Sequence, residues 1–231
     1  QCMVSRIIYL GGLAQLTPAL SPHLKSRIET GKILRAGPVP VTELRASIIV
    51  GSGSVSFELI RYLCERLPVM IAPQWLNTAC QPIGIRAVLQ YLIACLETPE
   101  SVGKIIEVGG PDVLSYREMM LAYSAERGLR RRIFTVPGLT PRISSFWLGM
   151  VTPIPKVIAR QLIEGLRNES ICHDHSALAL FPDIRPLHYR ESVALALEWL
   201  QSDRVETSWS GALSSSPVDI APGVTLKDEE G

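Results

Sequence analysis

Apolar runs and breakers alternate along this chain in an order that predicts layered strands and helices. Arg6 to Leu10 ("RIIYL") is a short, β-rich apolar run closed by Gly11 and Gly12, the pattern of a strand buried on both faces. Ser21 or Thr17 can cap the next helix, Pro22 suits its first position, and Gly37-Pro38 stops it near Ala36. Val41 to Val50 predicts a second buried strand. Strand, helix and strand so close together make a βαβ unit, which is right-handed with parallel strands.

A helix over Val55 to Arg66 and a short strand in "LPVMIAP" follow. Pro82 to Glu97 predicts a helix, with Ile85, Val88, Leu89, Leu92, Ile93 and Leu96 recurring at helical spacing. "GKIIEVGGP" reads as another strand with a turn. After Gly110 the pattern changes. Ser115 opens "SYREMMLAYSAERG", a helix with an S-x-x-E capping box to Glu118. "RRIFTVPGL" is strand-like, residues 141–180 are mostly helical with proline breaks, and "SVALALEWLQ" is a last helix. From Val205 the chain is rich in Ser, Pro and Gly and reads as a linker or tail.

The expected fold class is therefore α/β, with three parts. Residues 1–110 form the latter half of an α/β layered domain, 111–204 a mostly helical C-terminal lobe, and 205–231 the linker or tail.

Composition narrows the function classes. The chain has 231 residues, 47% of them hydrophobic, enough to bury a substantial core. A net charge of +1 gives no electrostatic footprint for nucleic acid. The short basic run Arg127 to Arg132 reads as a solvated turn. No apolar run reaches the roughly 18 residues that would cross a bilayer, and "FWLGMVTPIP" leaves room only for a brief peripheral membrane contact. The five cysteines show no CxxC pair and no disulfide spacing. Cys64, Cys80 and Cys95 read as small core residues, consistent with a reducing compartment such as the cytoplasm.

Three motifs carry candidate chemistry. Gly51 to Ser56 approaches G-x-G-x-x-G, but serine takes the third glycine and no ribose-holding acid follows at the expected distance. It reads better as a strand-end loop on the rim of a ligand pocket. "CHDHS" at 172–176 lacks a distant partner cluster, so no metal site is expected. Neither a P-loop nor a G-x-S-x-G elbow is present. The third motif is the pair His23 and Arg27, four residues apart and so on one helical face.

At this stretch the chain resembles the short-chain dehydrogenase/reductase superfamily, in its atypical, NmrA-like and complex-I-subunit-like branch. "RIIYLGGL" is similar to the superfamily's strand leading to the active site, and "HLKSRIETGKILRAGPVPVTELRASIIVGSGS" to the active-site helix and the strand after it. "QPIGIRAVLQYL", "GKIIEVGGPDVLSYREMM" and residues 152–197 resemble later segments of a bacterial group in which a small domain of unknown function (DUF2867) follows.

The resemblance implies the C-terminal half of a Rossmann-type doubly wound parallel sheet with a mostly helical substrate lobe. It also implies a piece truncated at both ends, with the phosphate-binding turn upstream. The implied cofactor is NADP or NAD, with binding impaired in such a piece. The implied partners are that dinucleotide and a small-molecule substrate of unknown identity.

In active members of the superfamily, a tyrosine and a lysine stand where this chain has His23 and Arg27. These two positions are the expected catalytic pair. Leu10, Gly11 and Gly12, with Ala46, Ser47, Ile48 and Ile49, are the expected cofactor-binding residues at two strand ends. Beside a guanidinium His23 is expected to be neutral, and Arg27 cannot relay a proton. The pair therefore keeps a capacity to bind and puts ordinary carbonyl reduction in doubt. Two readings stand: an oxidoreductase of unknown substrate, or a non-catalytic accessory, assembly or redox-sensing protein that binds a dinucleotide. Loss of both Tyr and Lys argues against a nucleotide-sugar isomerase. Pro137, Phe146 and Trp147 are expected apolar lining of the substrate lobe.

Overall fold

The computed structural model describes residues 4–15, 17, 20–136 and 163–201. Pro137, Phe146, Trp147, the "FWLGMVTPIP" stretch and the tail from Val205 lie outside them. The centre of the fold is a parallel sheet in the order β1-β2-β7, made by β1 (Ile7–Gly12), β2 (Val41–Ala46) and β7 (Ile105–Val108).

Helices cover both faces of this sheet, as a doubly wound arrangement requires. On one face Leu44, Ala46, Ile106 and Val108 pack with Ala87, Val88, Tyr91 and Cys95 of α3 (Ile85–Glu97) and with Ala177 of α5 (Ser176–Leu180). Phe181 meets Tyr91 edge to face in the same cluster, with ring centroids 5.5 Å apart. On the other face lies α1 (Pro22–Arg35), which connects β1 to β2 in the expected βαβ unit. A second apolar cluster joins α2 (Val55–Arg66), α4 (Tyr116–Glu126) and α6 (Tyr189–Gln201) around Phe57, Met119, Tyr123 and Val193.

The α1 face of the sheet is unusual in being charged. Glu43 is buried there, and both Arg35 of α1 and Arg45 hold its carboxylate. A Cβ on Gly31 would come within 2.6 Å of that carboxylate, so glycine lets the helix approach it. Alternation along β2 thus sends Leu44 and Ala46 to an apolar layer and Glu43 and Arg45 to a polar one.

Three expectations change. Val41 to Val50 is not one strand: β2 ends at Ala46, whose carbonyl accepts from the Leu13 amide, and β3 (Ile49–Val50) pairs instead with β6 (Ile83–Gly84). The helix predicted from Pro82 begins at Ile85, because Ile83 and Gly84 are spent on that ladder. Its core face is also different, as Ala87, Val88, Tyr91 and Cys95 are buried while Ile85, Leu89, Ile93 and Leu96 face outward. Nor is the basic run only a solvated turn. Arg127 pairs with Glu65, and Arg131 donates to the Cys64 carbonyl at the end of α2, where cations suit the helix dipole.

Of the stretch 141–180, expected to be mostly helical, residues 141–162 lie outside the described residues, and 166–175 are not helical. β4 (Val69–Pro73) pairs in parallel with β9 (Arg132–Val136). β5 (Ala79–Cys80) pairs antiparallel with β8 (Leu114–Ser115). The Ser115 hydroxyl and the Glu118 carboxylate complete the capping box of α4.

Candidate functional site

A cavity of about 240 Å³ opens where β1 and β2 end. Parallel pairing sets Gly11 beside Arg45 and Gly12 beside Ala46, so both strands deliver their carboxyl ends to one place. Leu10, Gly11 and Gly12 form one lip, and Ala46, Ser47, Ile48 and Ile49 the other. This is the position at which open α/β sheets bind ligands.

α1 supplies the roof. Ser21 caps it, its hydroxyl accepting from the Leu24 amide, and Pro22 begins its first turn. A Cβ on Gly12 would lie 3.2 Å from Leu24 and 3.9 Å from Arg27, so the bare backbone lets α1 come down onto the strand end. His23 and Arg27, one turn apart, both line the cavity. Burial and then the Arg27 charge lower the His23 pKa from 6.5, which keeps the imidazole neutral at neutral pH. Among the described residues, neither the His23 ring nor the Arg27 guanidinium has a hydrogen-bond or ion-pair partner. Both remain available to a ligand.

The far wall comes from residues that no sequence motif marks. The Ser47 and Ser170 hydroxyls share a hydrogen bond of 2.6 Å, and Asn168 Oδ1 accepts from the Ser21 amide. Ser170 is stitched between Ala79 and Gln81 by backbone hydrogen bonds, which fixes residues 165–170 across the opening. These residues are joined only by long-range contact, so spacing along the chain carries no trace of them. Ser56, Thr78, Cys80 and Tyr116 also line the cavity. Burial holds the Cys80 thiol up at about 12, so it is no nucleophile at neutral pH. Burial, with Cys80 alongside, also pushes the Tyr116 phenol far above its usual 10.0. Tyr116 is the only tyrosine lining the cavity among the described residues, and it stays neutral.

All nine sequence-derived positions therefore converge on one cavity. The Gly51-Ser52-Gly53 turn does not. Gly51 and Ser52 line a separate groove between α3 and α6, so the turn is no part of this rim. The "CHDHS" stretch is held by hydrogen bonds to Glu107 and within itself. The Glu107 carboxylate accepts from the His173 and Asp174 amides, and Asp174 accepts from the Ser176 amide at the start of α5. No group of three or more His, Cys, Asp or Glu among the described residues could hold a metal ion. Cys64, Cys80, Cys95 and Cys172 are buried free thiols. No helix among the described residues is long and apolar enough to cross a membrane.

No family model and no curated protein sequence matches the chain. Solved structures do. The chain is similar to a nucleoside-diphosphate-sugar epimerase from Staphylococcus aureus, at 14% identity and a TM-score of 0.63, over 83% of this chain and 65% of that one. It is similar to an NADPH-dependent quinone oxidoreductase from Escherichia coli, solved with NADPH, at 17% identity and a TM-score of 0.64, over 83% and 65%. A UDP-glucuronic acid 4-epimerase from Bacillus cereus, solved with NAD, matches at 10% identity and a TM-score of 0.60, over 87% and 63%. The chain thus spans a little under two thirds of the length of these proteins. These likenesses define its class as a Rossmann-type α/β fold of the kind found in epimerases and reductases.

Proposed function

We propose that the strand-end cavity receives the nicotinamide-ribose end of NAD or NADP, in a protein of the atypical, NmrA-like branch of the short-chain dehydrogenase/reductases. One observation carries this reading. His23 and Arg27 line the same cavity as the ends of β1 and β2, with both side chains unspent among the described residues.

The fit is chemical as well as positional. At about 240 Å³ the cavity is smaller than a whole dinucleotide needs, since small-molecule sites run to about 300–1,000 Å³. It suits one end of such a molecule. Neutral His23 can donate to or accept from a ribose hydroxyl, and Arg27 offers charge-assisted donors. A bound nicotinamide would supply or accept a hydride. What the chain itself can do is hold the ribose, exclude water with Leu10, Ile48 and Ile49, and protonate from His23 only when that ring is charged.

A second reading is that the protein binds its dinucleotide without turning it over, as an accessory or redox-sensing component. The lowered pKa of His23 favours it, because a neutral imidazole beside a cation is a poor acid at neutral pH.

The test is NADPH and NADH titration of the full-length protein, beside His23→Ala and Arg27→Ala. Each variant is expected to weaken binding about tenfold, the loss of one charge-assisted or buried hydrogen bond. Unchanged affinity in both variants, or no binding by the parent, overturns the reading. A panel of carbonyl substrates then separates the alternatives. Proton delivery by His23 predicts turnover that rises as pH falls below 6.5, and the accessory role predicts none at any pH.

A further inference from the structure

We infer that the outward face of α3 is a two-fold docking surface for a second copy of this chain, the two α3 helices packing antiparallel. Ile85, Leu89, Ile93 and Leu96 are 41%, 47%, 59% and 70% exposed. Their spacing sets them along one side of the helix, opposite the core residues Ala87, Val88, Tyr91 and Cys95. Single exposed aliphatics are ordinary, but a continuous stripe of four along one helix marks an interaction surface.

The charges flanking the stripe select the occupant. Arg86 lies beside its N-terminal end and Glu97 beside its C-terminal end, both exposed. Neither forms an ion pair among the described residues. The midpoints of Ile85 and Leu96, of Leu89 and Ile93, and of Arg86 and Glu97 all fall within one residue of Tyr91. At about 1.5 Å rise per residue, a two-fold axis near Tyr91 brings all three pairings level to within about an ångström or two. Leu89 then meets the second copy's Ile93, and Arg86 meets its Glu97, each contact occurring twice.

The ends of the stripe agree with this register. Ile85 and Leu89 open onto a groove of about 280 Å³ between α3 and α6, with Leu195 and Trp199 on its other wall. Leu96, the most exposed of the four, is the side chain that the second copy brings to that end. Antiparallel packing also opposes the two helix dipoles favourably. The stripe's residues do not line the strand-end cavity, so this inference stands apart from the dinucleotide reading.

Charge reversal tests it on the full-length protein, by sedimentation across a concentration series. Arg86→Glu sets a carboxylate against the second copy's Glu97 twice, and Glu97→Arg places two guanidinium groups together twice. Each variant alone is expected to raise the dimer dissociation constant about a hundredfold. Mixed one to one, the two variants regain both opposite-charge pairs, and a heterodimer should form with affinity within about threefold of the parent. Both positions are exposed, and circular dichroism confirms folding of each variant. A parent that stays monomeric overturns the proposal, as do single variants that dimerise like the parent or a mixture that fails to recover association.

Discussion

The two faces of β2 are built from opposite chemistry within six residues. One face sends Leu44 and Ala46 into a layer with Ile106, Val88 and Tyr91, where any shape-compatible apolar side chain would serve. The other face sends Glu43 and Arg45 under α1, where the contact is a carboxylate shared by Arg35 and Arg45. Apolar packing tolerates sliding, because its energy depends on area more than direction. Charge-assisted hydrogen bonds do not, since they hold one geometry. The difference teaches how α1 is kept in register with the strand ends, and His23 and Arg27 with it.

The sharpest way to break the comparison is to strand the charge. Glu43 is 1% exposed, whereas Arg35 and Arg45 keep 24% and 17% of their side-chain surface. Removing both arginines, as Arg35→Met with Arg45→Met, leaves a buried carboxylate without its cations and should cost about 3–5 kcal/mol in urea unfolding. Glu43→Gln should cost less, because the two guanidinium groups can reach water. The double variant also carries a pH signature. An unpaired buried carboxylate has a raised pKa, so the variant should recover stability as pH falls from neutral while the parent does not. On the apolar face, Leu44→Ala should cost about 2–5 kcal/mol with no such pH dependence. Equal pH responses in the two variants would abolish the distinction between the faces.

A smaller effect sharpens it. Gly31→Ala raises helix propensity by about 1 kcal/mol, yet its Cβ would lie 2.6 Å from Glu43 Oε2. The expected net result is a loss of about 1–2 kcal/mol, from overpacking against an ion pair that cannot move. A gain in stability would show that the clamp yields.

The smallest effect concerns a clamp in water. His188 and the Tyr189 amide both bind Asp112 at the start of α6. The hydrogen bond to Asp112, then its charge, raises the His188 pKa above 6.5, while the Tyr189 amide and His188 hold Asp112 below 3.8 against the opposing effect of burial. A raised histidine contributes stability that is full below 6.5 and fades as pH rises through its folded value. A depressed carboxyl contributes above 3.8 and fades as pH falls through its own. The parent should therefore lose melting temperature relative to His188→Gln between pH 5.5 and 8.5. Parallel melting curves across that range would count against the pair.

The same contrast explains what the sequence disclosed. The β1-α1-β2 unit was legible because Ser21, Pro22 and Gly37-Pro38 bound the helix, β1 is an apolar run, and β2 leads into the apolar residues Ile48 to Val50. The seven expected strand-end positions fall together because parallel strands must end on the same side, and α1 carries His23 and Arg27 over them. What stayed hidden depends on partners distant in the chain. The short β3–β6 ladder consumes Ile83 and Gly84 for reasons visible only across 34 residues, from Ile49 to Ile83. The true core face of α3 was obscured because this helix is apolar on two sides, and periodicity alone does not say which side is covered. Nothing in the sequence marks Glu43 as the residue that two arginines hold beneath α1.

The wall made by residues 165–170 sets an order in time. Ser47 waits for a partner 123 positions later, and the α1 cap at Ser21 for one 147 positions later. At a synthesis rate of roughly 5–20 residues per second, many seconds pass between the appearance of His23 and Arg27 and the arrival of Asn168 and Ser170. A chain stalled on the ribosome before Asn168 carries the pair on a helix whose cavity has no far side. The pocket closes only when residues 165–170 arrive to meet the strand ends.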